Sequence, residues 1–530
     1  MAAKNKGTVN LDALIRRDDF EIEDQDGKPV VADKTWKEIS LNTLTEDDRL
    51  AVMRKPDFQR ETSAWRPDVV ACFIKSVLDG DVVPSIIIWR SKKTGHTFII
   101  DGAHRISALA AWVNDDYGDG VISREFYGKK ITSEQEGVAK ETRIIVENLV
   151  GKYSDLYKYA KTKTPAPTEE LFKRSTSIYN VINLQSVEGD ASAAEQSYIR
   201  INSTAVPISS VELTLINSRR RPAGIATRAL MRAGSGYEYW GQFEEPNRSK
   251  IRDTAYQIYS QLIQPINEYP FSALGLPPPK NGYAANSMQT ILDLVTILNS
   301  SSGSRSIKIK SSDDNCSASE DRDGLQTLRY LEKVRKDTER VFGKTHSGSL
   351  ALHPALYCYG FDGKFIGKAF IGAIEFVSYL ERENKFYEFT KHRKAFEDFL
   401  IANRSLMNEI GKSQGAGGRR GVPTVIALYR RLFDGVTRGL NEAMIIETMK
   451  ADPHLKSLGF DKKDVISSGA KFSSTAKATA VIQSALDHDV CPICHGRLYI
   501  KDRSHDHITR LADGGDSSSA NLTLTHPYCN

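Results

Sequence analysis

Cys491-Pro-Ile-Cys494 and His526-Pro-Tyr-Cys529 repeat one spacing within the last stretch of this 530-residue chain. A two-residue spacer lets a short turn point both ligands at one ion. Together the pairs offer three thiolates and one imidazole, a tetrahedral set suited to a structural zinc. Between them stands His505-Asp506-His507-Ile508. A carboxylate beside an imidazole suits metal-dependent hydrolysis: the carboxylate holds a hard cation and the neutral imidazole takes a proton from water. A Gly-Gly turn, Asn521 and the final Asn530 complete the stretch. His505 competes with His507 for the base role, and His488 and His495 read as surface residues.

A second constellation is Asp101-Gly102-Ala103-His104-Arg105, set between the apolar run of Phe98–Ile100 and a helical pattern. Its chemistry is phosphate recognition. Gly102 permits close backbone approach, a helix start offers unpaired N–H groups, and Arg105 can fork onto phosphate oxygens. Asp101 could hold a metal or a base edge. Alone, the same residues also describe a capped helix with a surface ion pair.

The elements that must position these residues follow from periodicity. Val69, Val70, Phe73, Ile74, Val77 and Leu78 recur at helical spacing, and Gly80 stops them. "VVPSIIIWR" predicts a buried strand, and "HTFIIDGAHRISALAAW" a strand, a tight turn and a helix. Residues 216–462 are predicted to be mostly helical. Polar, serine-rich or Pro-rich stretches predict loops at 161–170, 299–324 and 411–423, and a linker at 463–480. The predicted organisation is a lead-in at 1–45, an α/β domain at 46–215, a helical domain at 216–462 and a metal-binding domain at 481–530. The overall class is α+β.

Composition excludes several classes. The chain is 40% hydrophobic and 26% charged, with a net charge of +5. No apolar run nears the roughly 20 residues of a membrane span, and the first residues lack the apolar core of a secretory signal. The expectation is a cytoplasmic protein with no membrane partner. Cys72, Cys316 and Cys358 are scattered and read as reduced thiols, so the clustered cysteines favour metal over disulfide. The densest basic run, holding Arg219, Arg220, Arg221, Arg228 and Arg232, reads either as a nucleic-acid contact or as a solvated helix start. Arg419 and Arg420 lie on the predicted glycine-rich loop.

The terminal pattern of Cys-x-x-Cys, Asp-His-Ile, Gly-Gly, Asn-Leu and a second knuckle ending Cys-Asn resembles the HNH nucleases of the ββα-metal group. The resemblance covers about the last 45 residues. It implies His507 as general base, Asp506 and Asn530 as ligands of a catalytic Mg²⁺ or other divalent cation, and Asn521 as a brace for the loop presenting His507. Cys491, Cys494, His526 and Cys529 would hold a separate structural zinc. In that family a helix continues past the final Cys-Asn, whereas this sequence stops at Asn530.

Residues 45–220 resemble the ParB/sulfiredoxin-like domain of bacterial defence proteins, the GmrSD-type restriction enzymes and the Ssp phosphorothioate-sensing system. The matching residues are Gln59, Arg60 and Trp65; Asp101, Gly102, His104 and Arg105; and Tyr198, Arg200, Asn202 and Glu212. The resemblance implies that a nucleoside triphosphate, of undetermined base, is bound or hydrolysed at the Asp-Gly-Ala-His-Arg loop. Trp65 and Tyr198 read equally well as core aromatics.

The combined expectation is a nucleotide-regulated DNA endonuclease or nickase of bacterial defence, acting on phage DNA, modified DNA included. A symmetric homodimer would let such a domain cut both strands. Two other readings compete: a ParB-like nucleotide-switch DNA-binding protein whose zinc knuckle is only structural, and a toxin-like nuclease acting on RNA.

Overall fold

Short strands with alternating apolar side chains build the first part of the molecule, and long amphipathic helices build the rest. The computed structural model describes residues 7–20, 36–45, 48–59, 61–128, 131, 133–162, 168–204, 209–262, 285–300, 319–343, 347–360, 365–412, 418–456, 458–460, 480, 482–484, 486–487, 489–499 and 503–530. The chain divides into two units: Met1–Arg219 with Ser235–Tyr239, and Arg220–Gly234 with Trp240–Asn530.

The first unit is built on a six-stranded mixed sheet of β1 (Arg17–Asp18), β2 (Glu38–Ser40), β3 (Met53–Pro56), β4 (Ile86–Arg90), β5 (Thr97–Asp101) and β6 (Val181–Ser186), in spatial order β1-β3-β5-β4-β6-β2. Neighbours are parallel except β4 with β5 and β2 with β6. Strand alternation sends side chains to two cores. Ile86, Ile88 and Ile99 join the larger one, with Val70, Ile74, Ile106 and Leu109 of the helices Pro67–Asp79 and Ala103–Asn114. Trp89, Phe98 and Ile100 join the other, with Phe20, Phe58 and Tyr198.

The predicted helix after Arg66 runs from Pro67 to Asp79 and ends on Gly80 at φ 80°. The predicted strand–turn–helix is β5, Gly102 and the Ala103–Asn114 helix. Residues 7–18, part of the predicted lead-in, are built into this unit: Leu11, Leu14 and Ile15 are buried, and β1 pairs with β3.

The second unit is helical, as its periodicity predicts. Pro222–Met231 is buried along its whole length, and Glu245–Leu262, Ala285–Asn299 and Leu325–Phe342 pack around it. Gly367–Arg382, Phe386–Ala402 and Gly418–Thr437 share an aromatic core of Phe376, Phe389, Phe396, Tyr429 and Phe433. Among the described residues no helix is long and apolar enough to cross a membrane.

Two expectations are corrected. The basic run after Asn217 is not a solvated helix start: Arg228 and Arg232 are buried, because their helix is apolar on every side and lies inside the unit. The predicted loop at 411–423 is helical from Gly418 onward, with Pro423 inside the helix. Its residues 413–417 lie outside the described residues. So do most of the other predicted loops and the linker, at 163–167, 301–318 and 461–479.

Candidate functional site

The Cys₃His residues are assembled by two short turns. The isolated bridge between Val490 and Arg497 closes the first, with the Cys491 amide donating to the Gly496 carbonyl at 2.9 Å. His495 takes φ 55°, the left-handed conformation that finishes the turn. The second turn follows the last strand, and the Cys529 amide donates to the His526 carbonyl at 2.9 Å. The ligand atoms of Cys491, Cys494, His526 and Cys529 all lie within 4.8 Å of one another. Tetrahedral thiolates at about 2.3 Å from zinc would stand about 3.8 Å apart, so the cluster could hold that ion.

The surroundings fit the same chemistry. His526 Nε2 lies 3.0 Å from the Arg497 carbonyl, which can only accept, so Nε2 carries the proton and Nδ1 faces the thiols. Cys494 Sγ is 3.3 Å from that Nδ1. Thiols this crowded divide their protons unequally: Cys491 is pushed far down by bonds donated by Cys494 and Cys529, and Cys529 is pushed up. Burial, with Arg393 nearby, also lowers His526, favouring the neutral ring a metal needs.

The knuckle is anchored to the helices of its unit. Arg393, buried in Phe386–Ala402, pairs with Glu397 at 2.7 Å, and Glu397 accepts the Arg497 backbone amide at 2.6 Å. Arg393 also donates to the Leu350 carbonyl at 2.6 Å, and the Tyr528 amide donates to the Ser349 carbonyl at 3.0 Å. His353, buried, packs edge-on against Tyr499.

The Asp506-His507 pair lies on a hairpin of β7 (Ser504–His507) and β8 (Leu522–Thr525), with Asp506 opposite Thr523 and His507 opposite Leu522. Alternation puts Ser504 and Asp506 on one face, His505 and His507 on the other. Asn530 joins the first face: its Nδ2 donates to Ser504 Oγ at 2.5 Å and to the His505 carbonyl at 3.0 Å. Asp506 Oδ1 accepts the His507 amide at 2.8 Å, and Oδ2 has no hydrogen bond from the described residues.

The loop between the strands is tied by Asn521. Its Oδ1 accepts the Thr509 amide at 2.7 Å, and its Nδ2 donates to the Thr509 carbonyl at 2.9 Å and the Asp516 carbonyl at 2.7 Å. Gly515 is obligatory here, since a Cβ would meet the Thr509 carbonyl oxygen at 1.9 Å. Asp516 is a residue that sequence reasoning missed. Hydrogen bonds from Ser518, with a smaller contribution from His507, hold its carboxyl below the usual range. The acid after Gly-Gly was the available signal.

In the first unit, Gly102 takes φ 97° and opens its helix without a side-chain cap, leaving the first-turn amides as donors. β4 pairs Ile87 with Asp101, and the register shifts between Ile87 and Ile88. Arg105 is not an open fork: it pairs with Asp101 at 2.5 Å and donates to the Pro84 and Ser85 carbonyls. His104 stacks on Trp65, ring centroids 5.6 Å apart, and its Nε2 lies 3.4 Å from the Ala64 amide. Gln59, buried, donates to the Ile100 carbonyl at 3.3 Å, while its Oε1 is buried without a hydrogen-bond partner among the described residues.

The Gln59–Trp65 segment is held in place by buried charge. Asp12 Oδ1 accepts from Lys55 Nζ at 2.7 Å, Arg17 Nη2 at 2.9 Å and the Thr62 amide at 3.1 Å. Thus Gln59, Trp65, Asp101, Gly102, His104 and Arg105 gather at one end of β5. Arg200 lies exposed on the helix Ala191–Thr204, bonded to Ser197 at 3.4 Å. Glu212 is spent on a capping box with Ser209. Arg60 and the Asn202 side chain lie outside the described residues.

Residues 41–219 match the family model of the GmrSD restriction endonuclease N-terminal domain. That stretch is similar to a GmrSD-type N-terminal domain and covers about a third of the chain. The GmrSD name is that of a restriction endonuclease. No curated protein and no solved structure matches the chain.

Proposed function

We propose that this chain is a restriction-type DNA endonuclease of phage defence, with a ββα-metal cutting site at β7–β8 and a GmrSD-type domain that binds a nucleoside triphosphate to control it. The observation that carries the reading is the hairpin: Asp506 and Asn530 share one face, and His507, on the other face, is the last residue of β7, where Asn521 locks the loop that follows, so base and cation ligands would meet the phosphate at the strand's end. His507 takes a proton from water as it attacks phosphorus. Asp506, with one oxygen free of hydrogen bonds from the described residues, and Asn530 would hold a Mg²⁺ or similar divalent cation, which would supply charge neutralisation for the phosphate. The Cys₃His cluster, with zinc, fixes the hairpin's ends. A DNA-binding switch protein with a purely structural knuckle would leave the Asp506 face unused.

At the N-terminal site, the uncapped amides of the Ala103 helix and the orphan Gln59 Oε1 support nucleotide binding. Asp101, Gly102, His104 and Arg105 form its wall, with Arg60, Arg200 and Asn202 carried by the resemblance. The target is phage DNA, modified DNA included.

The test is plasmid nicking with Mg²⁺ and a nucleotide panel. His507→Ala should lower the rate by at least about 10²-fold with zinc content unchanged. Undiminished cutting by that variant overturns the assignment. Arg105→Ala should weaken triphosphate binding, and no binding by the unmutated chain removes that role.

A further inference from the structure

A cleft of about 550 Å³ separates the outer face of the helix Phe386–Ala402 from the zinc knuckle. Tyr387, Lys391 and Lys394 recur at four- and three-residue steps, so they form one stripe along the cleft wall. The opposite wall carries Ile493 and His495. Tyr387 is 77% exposed and Ile493 51% exposed, so both present apolar surface to the cleft. Among the described lining residues one is acidic, Asp398, and it is already paired with Lys394 at 2.5 Å and Arg497 at 3.4 Å. The cleft is therefore positive, with an aromatic ring at one end.

The helix that supplies this stripe is the one whose inner face locks the knuckle through Arg393 and Glu397. The wall is thus rigid, and its lysines are held at a fixed place beside the zinc cluster. Cys494 lines the cleft, while His526 of the same cluster follows β8 of the cutting hairpin. A chain of phosphates is the ligand that fits: spaced negative charge for Lys391 and for Lys394, which would exchange Asp398 for phosphate, with sugar edges for Tyr387 and Ile493.

We propose that this cleft holds the sugar–phosphate backbone of duplex DNA flanking the bond to be cut. The proposal rests on the nuclease reading above. It adds a DNA-binding surface made jointly by the helical unit and the knuckle, outside the hairpin.

The experiment measures binding of a labelled DNA duplex by the full-length His507→Ala chain, with and without Lys391→Gln and Lys394→Gln, across a salt series. Losing two phosphate contacts should reduce the slope of log affinity against log salt by about 1.8 and, with affinity at 1 M salt unchanged, weaken binding about 60-fold at 0.1 M salt. Tyr387→Ala should weaken binding without changing the slope. If the unmutated chain cuts DNA and the lysine variant keeps both slope and affinity, the cleft proposal falls and the nuclease reading stands. If no duplex is bound or cut, both fall. Stronger lysine-dependent binding of duplex RNA would also overturn the assignment to DNA.

Discussion

Asn521 and Thr509 grip each other at two points: the Asn521 side-chain oxygen accepts the Thr509 amide at 2.7 Å, and its side-chain nitrogen donates to the Thr509 carbonyl at 2.9 Å. Thr509 lies two residues after His507, so this grip sets where β7 ends. Asn521→Ala should lower the cutting rate about 10²-fold, the size expected when a catalytic group shifts by about an ångström. Zinc content and thermal stability of the first unit should not change. A variant that cuts at the unmutated rate would show that the loop needs no brace.

Cys491 is the most buried of the clustered thiols, with no exposed surface. Cys491→Ser should drop bound zinc from one ion per chain to a small fraction, measured by metal analysis. Strong chelation of the unmutated chain should do the same. In both cases the knuckle and hairpin should lose protection from proteolysis while the N-terminal unit keeps it.

Glu397 is joined to Arg393 at 2.7 Å with both side chains 1% exposed. Glu397→Ala leaves a guanidinium buried without its partner and releases the Arg497 amide. The expected loss is about 3–5 kcal/mol in the second unit, read from denaturant unfolding. Replacing the pair together, Arg393→Met with Glu397→Leu, should cost less than the single change.

Lys368 is buried, its ammonium has no hydrogen-bond partner among the described residues, and its stem lies against Gly421. Burial pushes its pKa below the ordinary lysine value of 10.5. The unfolded chain therefore binds this proton more tightly, and the penalty is present at neutral pH and fades as pH rises towards that ordinary value. Lys368→Met should stabilise by about 1–2 kcal/mol at neutral pH and by progressively less in alkali. A gain independent of pH would assign the effect to packing alone.

Much of this molecule could be read from residue order. Gly80 and Gly102 mark real boundaries because a left-handed φ leaves few alternatives to glycine. The Cys₃His cluster was legible because ligand spacing is a local property. Burial of charge was not. Arg393 and Glu397 sit four apart on a helix, a pattern that usually means a solvated face, and the packed knuckle together with Leu350 and Tyr357 covers them. Arg228 and Arg232 misled in the same way. β1 and β2, with two and three residues, are too short to carry a period, and their pairing with β3 and β6 is a long-range choice. Arg105 was expected to be open, but Asp101 and two carbonyls claim it, a geometry that depends on where β4 begins.

The Arg393–Glu397–Arg497 link has a practical consequence for protein engineering. The terminal zinc segment cannot be transplanted as a cassette cut at residue 481. The excised piece would lose the carboxylate that receives the Arg497 amide, and the donor body would be left with an ion pair suddenly facing water. A portable version has to carry the helix Phe386–Ala402 with it, so the unit of inheritance here is a helix plus a knuckle.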